Sequence, residues 1–436
     1  MDSLFNAVKQ FALTQGFDHT YWIAYSGGMD SHVLLHLFAK LRAMYPIKLR
    51  AVYINHGVSL QAEKWAEHCA GVSAELGVDF IQQKISTEKP VLSSPEDSLR
   101  QSRYHIFSEL IQPNDFLLTA HHQDDQAETV LLQLFRGAGP KGLAAMPRVK
   151  SFARGFHARP LLALTRLDLK KYAEENQLCW VEDESNTDVN LTRNFLRHEV
   201  LPILAKRWPT VGKTLARVAD HCAEVQQFIE LDIQPDLVDV QGQRENTLSV
   251  KKLLVLDQNK QRQLVRAWIS ALDFPLPSAA KMQQLILTIL PAREDKMPYM
   301  SWRGVEIRRF RDDLFCLPKL VQHNPAQIIS WKLHEPMMLA NKNCLNAIPV
   351  KGQGLRAEIK QVSVRFRQGG EVIRLPGRKH HHDLKKLFQQ WNVLPWLRDR
   401  IPLIYVDDCL AAVVGFCVSE EFVVQDQQEG WLLCCE

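Results

Sequence analysis

Six consecutive residues, Ser26-Gly27-Gly28-Met29-Asp30-Ser31, carry two hydroxyls, two glycines and one carboxylate. They lie between an apolar run, Trp22-Ile23-Ala24-Tyr25, and a helical pattern of Val33, Leu34, Leu37, Phe38 and Leu41. A strand, a glycine turn and a helix in that order aim free backbone N–H groups and a positive dipole end at one point, which attracts phosphate. Glycine also permits positive φ and a close backbone approach. Asp30 would repel an anion unless a divalent cation lies between them. The stretch therefore reads as a site for a nucleoside triphosphate with Mg²⁺, with Asp30 the leading metal or transition-state residue in catalysis. Gly212-Lys213-Thr214 has the ending of the commoner phosphate loop, but position 207, where that loop needs glycine, is Arg.

A second cluster, His121-His122-Gln123-Asp124-Asp125-Gln126-Ala127-Glu128-Thr129, holds two histidines and three acids. On a helix Asp124 and Asp125 both share a face with Glu128, being four and three residues away. Acids in a first helical turn are also ordinary dipole partners. The spacing lacks the His-x-x-x-His of a helical zinc site.

The elements that must position these groups alternate along the first 140 residues. Strands are expected at Tyr21–Tyr25, Leu49–Ile54, Phe80–Ile85 and Phe116–Thr119, and helices at Ser31–Met44, Gln61–Leu76, Pro95–Ile111 and Asp124–Phe135. Ser94 suits the cap of the third helix, with Pro95, Glu96 and Asp97 in its first turn. Such alternation implies an α/β domain with a parallel sheet covered on both faces, whose ligands sit at strand carboxyl ends. Asn55-His56 and His121-His122 follow two strands as the glycine turn follows the first, so three motifs should converge on one edge. Beyond Leu161 the pattern turns helical, with Thr165 capping Arg166–Asn176 and a further helix at Arg193–Ala205. The expected division is a nucleotide-binding domain over 1–208, a helical domain over 209–320 and a small α+β domain over 335–436. Pro325–Pro349 reads as an irregular connection.

Composition sets the class. With 436 residues, 46% apolar and 23% charged, the chain is a soluble protein of two or three domains. Its longest apolar run, Cys409–Val418, is about half of a membrane span, and Met1–Phe17 has no secretory core. Nine cysteines without a C-x-x-C pair fit a reducing cytoplasm rather than a disulfide or zinc scaffold. Net charge is only +4, but Val364–Arg400 holds nine Lys/Arg against three acids, and the remainder of the chain has seven acids and no Lys or Arg. That basic segment suits nucleic-acid phosphates or a merely solvated face. Three adjacent histidines, His380-His381-His382, converge poorly on one ion and suit RNA contact or surface.

The Ser-Gly-Gly-x-Asp-Ser order resembles the pyrophosphate-loop (PP-loop) ATPases, which have an adenine nucleotide α-hydrolase-like fold and activate substrates as adenylates. SGGMDS, HHQDDQAET and RGAGPKGLAAM (136–146) occur together with Arg159-Pro160-Leu161-Leu162, Asp183-Glu184-Ser185-Asn186 and Arg193-Asn194-Phe195-Leu196-Arg197. The series resembles tRNA(Ile)-lysidine synthetases of the long form with two C-terminal domains, closely over about 20–205 and more loosely over about 360–418. The resemblance implies a carbon–nitrogen ligase that uses ATP and Mg²⁺ on the CAU anticodon of tRNA(Ile). ATP adenylates the keto oxygen of the wobble cytidine and releases pyrophosphate. The side-chain amine of free L-lysine then displaces AMP, giving lysidine, which changes codon and amino-acid specificity from Met to Ile.

On that reading Ser26, Gly27, Gly28, Met29, Asp30 and Ser31 hold ATP, with His121, His122 or Asp124 nearer the nucleotide. Asp125 and Glu128 are expected to act in catalysis by binding the cationic lysine, and Arg100 or Arg103 to pair with its carboxylate or to form surface salt bridges. Arg193, Asn194 and Arg197 would face RNA phosphate or ATP. Arg378, Lys379, Lys385 and Lys386, near Trp391 and Trp396, would hold another part of the tRNA. The alternatives are a PP-loop tRNA thiolase, another adenylating synthetase and an inactive RNA-binding scaffold. Whether the chain forms a homodimer is left open.

Overall fold

The first strand, β1 (Thr20–Ala24), buries Tyr21 and Ile23 in one apolar cluster and Trp22 in another on the opposite face, as a doubly covered strand must. The computed structural model describes residues 2–55, 61–85, 95–183, 187–294, 296–339 and 343–435. Beside β1 lie β2 (Lys48–Asn55), β3 (Asp79–Lys84), β4 (Phe116–Leu118), β5 (Val149–Phe152) and β6 (Gly155–Ala158), in the order β3-β2-β1-β4-β6-β5. All neighbours are parallel except β5, which closes an antiparallel hairpin with β6. That edge hairpin is the one addition to the expected parallel sheet.

Helices α1 (Asp2–Gln15), α2 (Met29–Arg42), α3 (Ala62–Glu75) and α7 (Arg166–Glu175) contribute to the larger cluster, and α4 (Pro95–Leu110) covers the other face through Phe107. With α5 (Gln123–Phe135) they place the expected elements within two residues of their observed ends. Short α6 (Pro140–Leu143) follows α5. Thr165 caps α7, accepting from Asp168 N at 3.2 Å while Asp168 accepts from Thr165 N at 3.0 Å. His56, Ser94 and Glu184-Ser185-Asn186 lie outside the described residues. The expected helix at Arg193–Ala205 is α8 (Thr192–Phe195), a π turn at Leu196–Val200 and α9 (Leu201–Arg207) in succession.

The chain divides into two compact units, Met1–Asp232 and Ile233–Glu436, the boundary falling within α10 (Val211–Asp239). In the second unit α11 (Val250–Leu254), α12 (Gln258–Ala271) and α13 (Ala279–Gln284) form the expected helical region. An antiparallel sheet of β7 (Leu248–Ser249), β8 (Tyr299–Trp302), β9 (Val305–Phe310) and β10 (Asp313–Pro318) completes it. Met300, Trp302, Val305, Ile307, Leu314 and Cys316 alternate inward onto Leu264, Trp268 and Met282. Short two-residue alternation of this kind is easily lost beside long helices.

The last region holds a five-stranded sheet and a four-stranded sheet. Pro325–Pro349, expected as irregular, instead contains strands Ile329–Lys332, Met337–Met338 and Cys344–Lys351. Pro349 is tolerated because Met337–Met338 pairs only with Leu345 and Cys344, leaving that side of the longer strand open beyond them. No described helix is long and apolar enough to cross a membrane.

Candidate active site

The chain passes from β1 outward through β2 and β3, then returns to β4 on the other side of β1. Connections on either side of β1 thus leave in opposite directions, making the β1–β4 carboxyl ends a switch point where such sheets bind ligands. The glycine turn follows β1, and His121-His122 follow β4. Sequence neighbours of two parallel strands are brought together here by pairing Ile23 with Leu118.

Gly28 precedes α2 and offers no side-chain cap, so the first turn keeps its N–H groups for a ligand. Ser31 Oγ donates to Gly28 O at 2.9 Å and lies 3.1 Å from Ser26 Oγ, which holds the two hydroxyls at the mouth of the turn. Gly27 has φ +81°, and a Cβ there would lie 2.8 Å from Val181 Cγ2. Both facts demand glycine. Asn55 ends β2 but donates to Glu63 at 3.2 Å, so the expected third motif is engaged in a local contact.

His122 is the junction of the two motifs. Its Nε2 lies 3.6 Å from Asp30 and 3.4 Å from Asp125, and its Nδ1 3.5 Å from Asp124. Burial alone would discharge this ring, but Asp124, Asp30 and Asp125 outweigh it and lift its pKa to about 10. His122 in turn holds the Asp124 carboxyl below its usual range, and Asp124 accepts from Arg166 N at 2.9 Å. The Asp125 carboxylate accepts from His122 N at 3.0 Å, fastening the start of α5. Asp30 Oδ1 is buried without a hydrogen-bond partner. An orphaned carboxylate oxygen beside a phosphate-type turn fits a hard cation.

Asp125 and Glu128 share a face as expected, but Arg197 meets them there. Its Nε donates to Glu128 Oε1 at 2.6 Å, and its Nη2 to Glu128 Oε2 at 3.1 Å and to Asp125 Oδ1 at 2.9 Å. Glu128 is 0% exposed, so burial raises its pKa while Arg197 opposes the rise. Arg193, Asn194 and Arg197, expected along one helix and facing RNA phosphate or ATP, lie in three different environments. Asn194 is buried and donates to Asp188 O at 3.0 Å, Arg193 is half-buried, and Arg197 turns inward within the π turn. A π turn adds a residue and rotates the face that 3.6 spacing predicts.

Arg100 lies over the Tyr104 ring at 5.1 Å, and Arg103 is exposed. Neither forms an ion pair with Asp125 or Glu128 among the described residues. Three residues not expected at the site complete it: Thr119 Oγ1 lies 2.7 Å from His121 Nδ1 and 2.9 Å from His157 Nε2, and Arg159 Nη2 is 3.3 Å from His157 Nδ1. Arg159 belongs to the quoted Arg-Pro-Leu-Leu stretch, whereas a Thr just past β4 and a His inside β6 carry no sequence signal.

In the second unit Arg378, Lys379, Lys385 and Lys386 are exposed and have no ion pair among the described residues, Lys385 and Lys386 lying outward on a helix that buries Leu384, Leu387 and Phe388. Other charges of that basic segment are spent locally, as Arg365 pairs with Asp408 and Arg367 with Asp399, each at 3.0 Å. Trp391 stacks on Phe416 at 5.0 Å. Trp396 packs edge-on against Phe315 at 5.1 Å.

Comparison with known proteins agrees with this geometry. Residues 4–204 match the family described as PP-loop domain, 248–315 the TilS substrate binding domain and 362–435 the TilS substrate C-terminal domain. Proteins named tRNA(Ile)-lysidine synthase are similar along nearly the whole chain. That of Coxiella burnetii is 42% identical, covering 97% of this chain and 94% of its own. That of Legionella pneumophila (strain Lens) is 39% identical, covering 94% of each. That of Methylococcus capsulatus is 38% identical, covering 91% of each. The chain belongs to the tRNA(Ile)-lysidine synthase family, with an ATP-utilising PP-loop domain.

Proposed function

We propose that this protein ligates free L-lysine to the wobble cytidine of tRNA(Ile) with a CAU anticodon, consuming ATP to AMP and pyrophosphate. The observation that carries the reading is the 42% identity to a tRNA(Ile)-lysidine synthase over 97% of the chain. A tRNA substrate supports a cytoplasmic location.

The residues present suit each requirement. The N–H groups at Gly27 and Met29, with the Ser26 and Ser31 hydroxyls, bind the triphosphate. Asp30 would hold Mg²⁺ through its orphaned oxygen; bound there, the ion neutralises phosphate charge. Protonated His122 keeps three carboxylates gathered round the phosphates without leaving the site strongly anionic. Asp125 and Glu128 receive the cationic lysine once Arg197 cedes part of its contact, and Arg100, over Tyr104, takes the lysine carboxylate. Arg193 contributes to the same basic edge. The exposed Arg378, Lys379, Lys385 and Lys386 position tRNA phosphates without reading sequence.

A thiolase would need a reactive sulfur, yet Cys69, nearest the glycine turn, is buried with its thiol pushed up to about 12. The decisive experiment is mass analysis of tRNA nucleosides after incubation with the protein, ATP and isotopically labelled lysine. Labelled lysidine supports the reading. Pyrophosphate release that ignores tRNA and lysine, with no modified nucleoside, defeats it.

A further inference from the structure

Arg159 is an expensive residue that the reaction as described leaves unused. It is 4% exposed, no carboxylate pairs with it among the described residues, and its Nε is buried without a partner. A buried cation without a counter-charge destabilises a fold, so its retention needs another account. Its Nη1 donates to Pro147 O at 2.8 Å and its Nη2 approaches His157 Nδ1 at 3.3 Å.

We propose that Arg159, His157 and Thr119 are positioning residues that hold His121 as its Nε2–H tautomer, so that His121 donates a hydrogen bond to the nucleotide and does not act as the base for lysine. The inference rests on the adenylation reading above for its chemical use, but the tautomer follows from the contacts alone. A guanidinium has only donors, so His157 Nδ1 must accept from Arg159. The single proton of neutral His157 is then on Nε2, and it donates to Thr119 Oγ1 across 2.9 Å. Thr119 spends its own hydroxyl proton on the remaining neighbour, His121 Nδ1, at 2.7 Å. Were His121 Nδ1 also a donor, the hydroxyl proton would be stranded, because Thr119 Oγ1 has no third partner among the described residues and the residue is buried. The only proton of neutral His121 therefore sits on Nε2.

The surroundings keep both rings neutral. Burial, Arg159, Lys150 and Arg100 push His157 down to about 2, and burial pushes His121 down to about 3 against the pull of Asp125. His121 Nε2 has no protein partner among the described residues and is available to a ligand. A neutral, preorganised donor strengthens as negative charge gathers on a phosphate or keto oxygen, and it needs no proton transfer of its own. The role explains why an uncompensated Arg lies behind the site: its charge sets the direction of every hydrogen bond in the chain.

The test uses full-length protein labelled with 15N-histidine, the His121 signal being assigned by its loss in His121→Gln. Long-range 1H–15N spectra should show Nε2 protonated and Nδ1 bare. Thr119→Val should abolish that preference and lower the kcat of tRNA-dependent pyrophosphate release by roughly 10-fold or more, with the KM for ATP changed less than about twofold. Thr119→Ser, which keeps the hydroxyl, should restore both. An Nδ1–H tautomer in the unmodified protein, or full adenylation by Thr119→Val, overturns the proposal. If Thr119→Val does not fold, the spectrum of the unmodified protein and the Thr119→Ser activity still decide. A protein that makes no lysidine yet shows the Nε2–H ring would overturn the reaction and leave the relay standing.

Discussion

Two charged regions of this chain behave in opposite ways. Around His122 the charges are buried or half-buried, paired and shared: one imidazolium answers Asp30, Asp124 and Asp125, and one guanidinium answers Asp125 and Glu128. In the basic C-terminal segment Arg378, Lys379, Lys385 and Lys386 stand in water without ion pairs among the described residues. Low effective dielectric makes each buried contact strong and each loss expensive, whereas solvent and salt weaken the exposed charges. The first arrangement suits chemistry that needs fixed geometry. The second suits a long polyanion, held by the sum of many weak contacts.

The sharpest way to break the contrast is Arg197→Met, which leaves Glu128 buried and uncompensated. It should cost about 3–5 kcal/mol in urea unfolding, the usual penalty for removing one partner of a buried pair. Adding Glu128→Gln should recover most of that loss. A single variant as stable as the parent would mean that the acids are not desolvated as described. Next in size, Asp30→Ala should lower tRNA-dependent pyrophosphate release by roughly 10²-fold, and near-normal adenylation in that variant would remove Asp30 from the phosphate site.

Acid sensitivity should also reside in the buried region. Burial depresses His157 from 6.5 to about 2, so below pH 6.5 the unfolded chain binds a proton that the native chain refuses. Stability from this residue is whole above pH 6.5 and falls by about 1.4 kcal/mol per pH unit as pH drops toward 2. His157→Gln should remove that contribution, and an unchanged acid slope would contradict it. The smallest effect is expected in the exposed region. Arg378→Ala with Lys379→Ala should weaken tRNA binding a few-fold and reduce the salt slope by roughly 1–2, leaving ATP binding intact. An unaltered slope would remove this segment from the RNA contact.

Local physics made much of the first unit readable. The glycine turn, the strand before it and the helix after it are contiguous, and each residue's role follows from its neighbours. Thr165 with Asp168 is a cap contained in four residues. The misreadings have a common cause. Arg197 reads as a residue facing RNA phosphate or ATP until Glu128, 69 residues away, is known to lie within 2.6 Å. The π turn that carries it gives no compositional warning. The strands between Tyr299 and Pro318 are hidden because their apolar alternation is only a few residues long, and the packing of Trp396 on Phe315 because that partner lies in a distant strand.

By itself the sequence determined the anion-binding turn, the alternation that demands a parallel sheet, and the family whose motifs occur together in it. Those are set by backbone freedom, side-chain period and short spacing, which need no knowledge of the rest of the chain. Tertiary structure decided which charges neutralise one another and which way protons point along the Arg159–His157–Thr119–His121 line. Electrostatics inside a protein depends on distance and burial, and both arise only when strands far apart in sequence become neighbours.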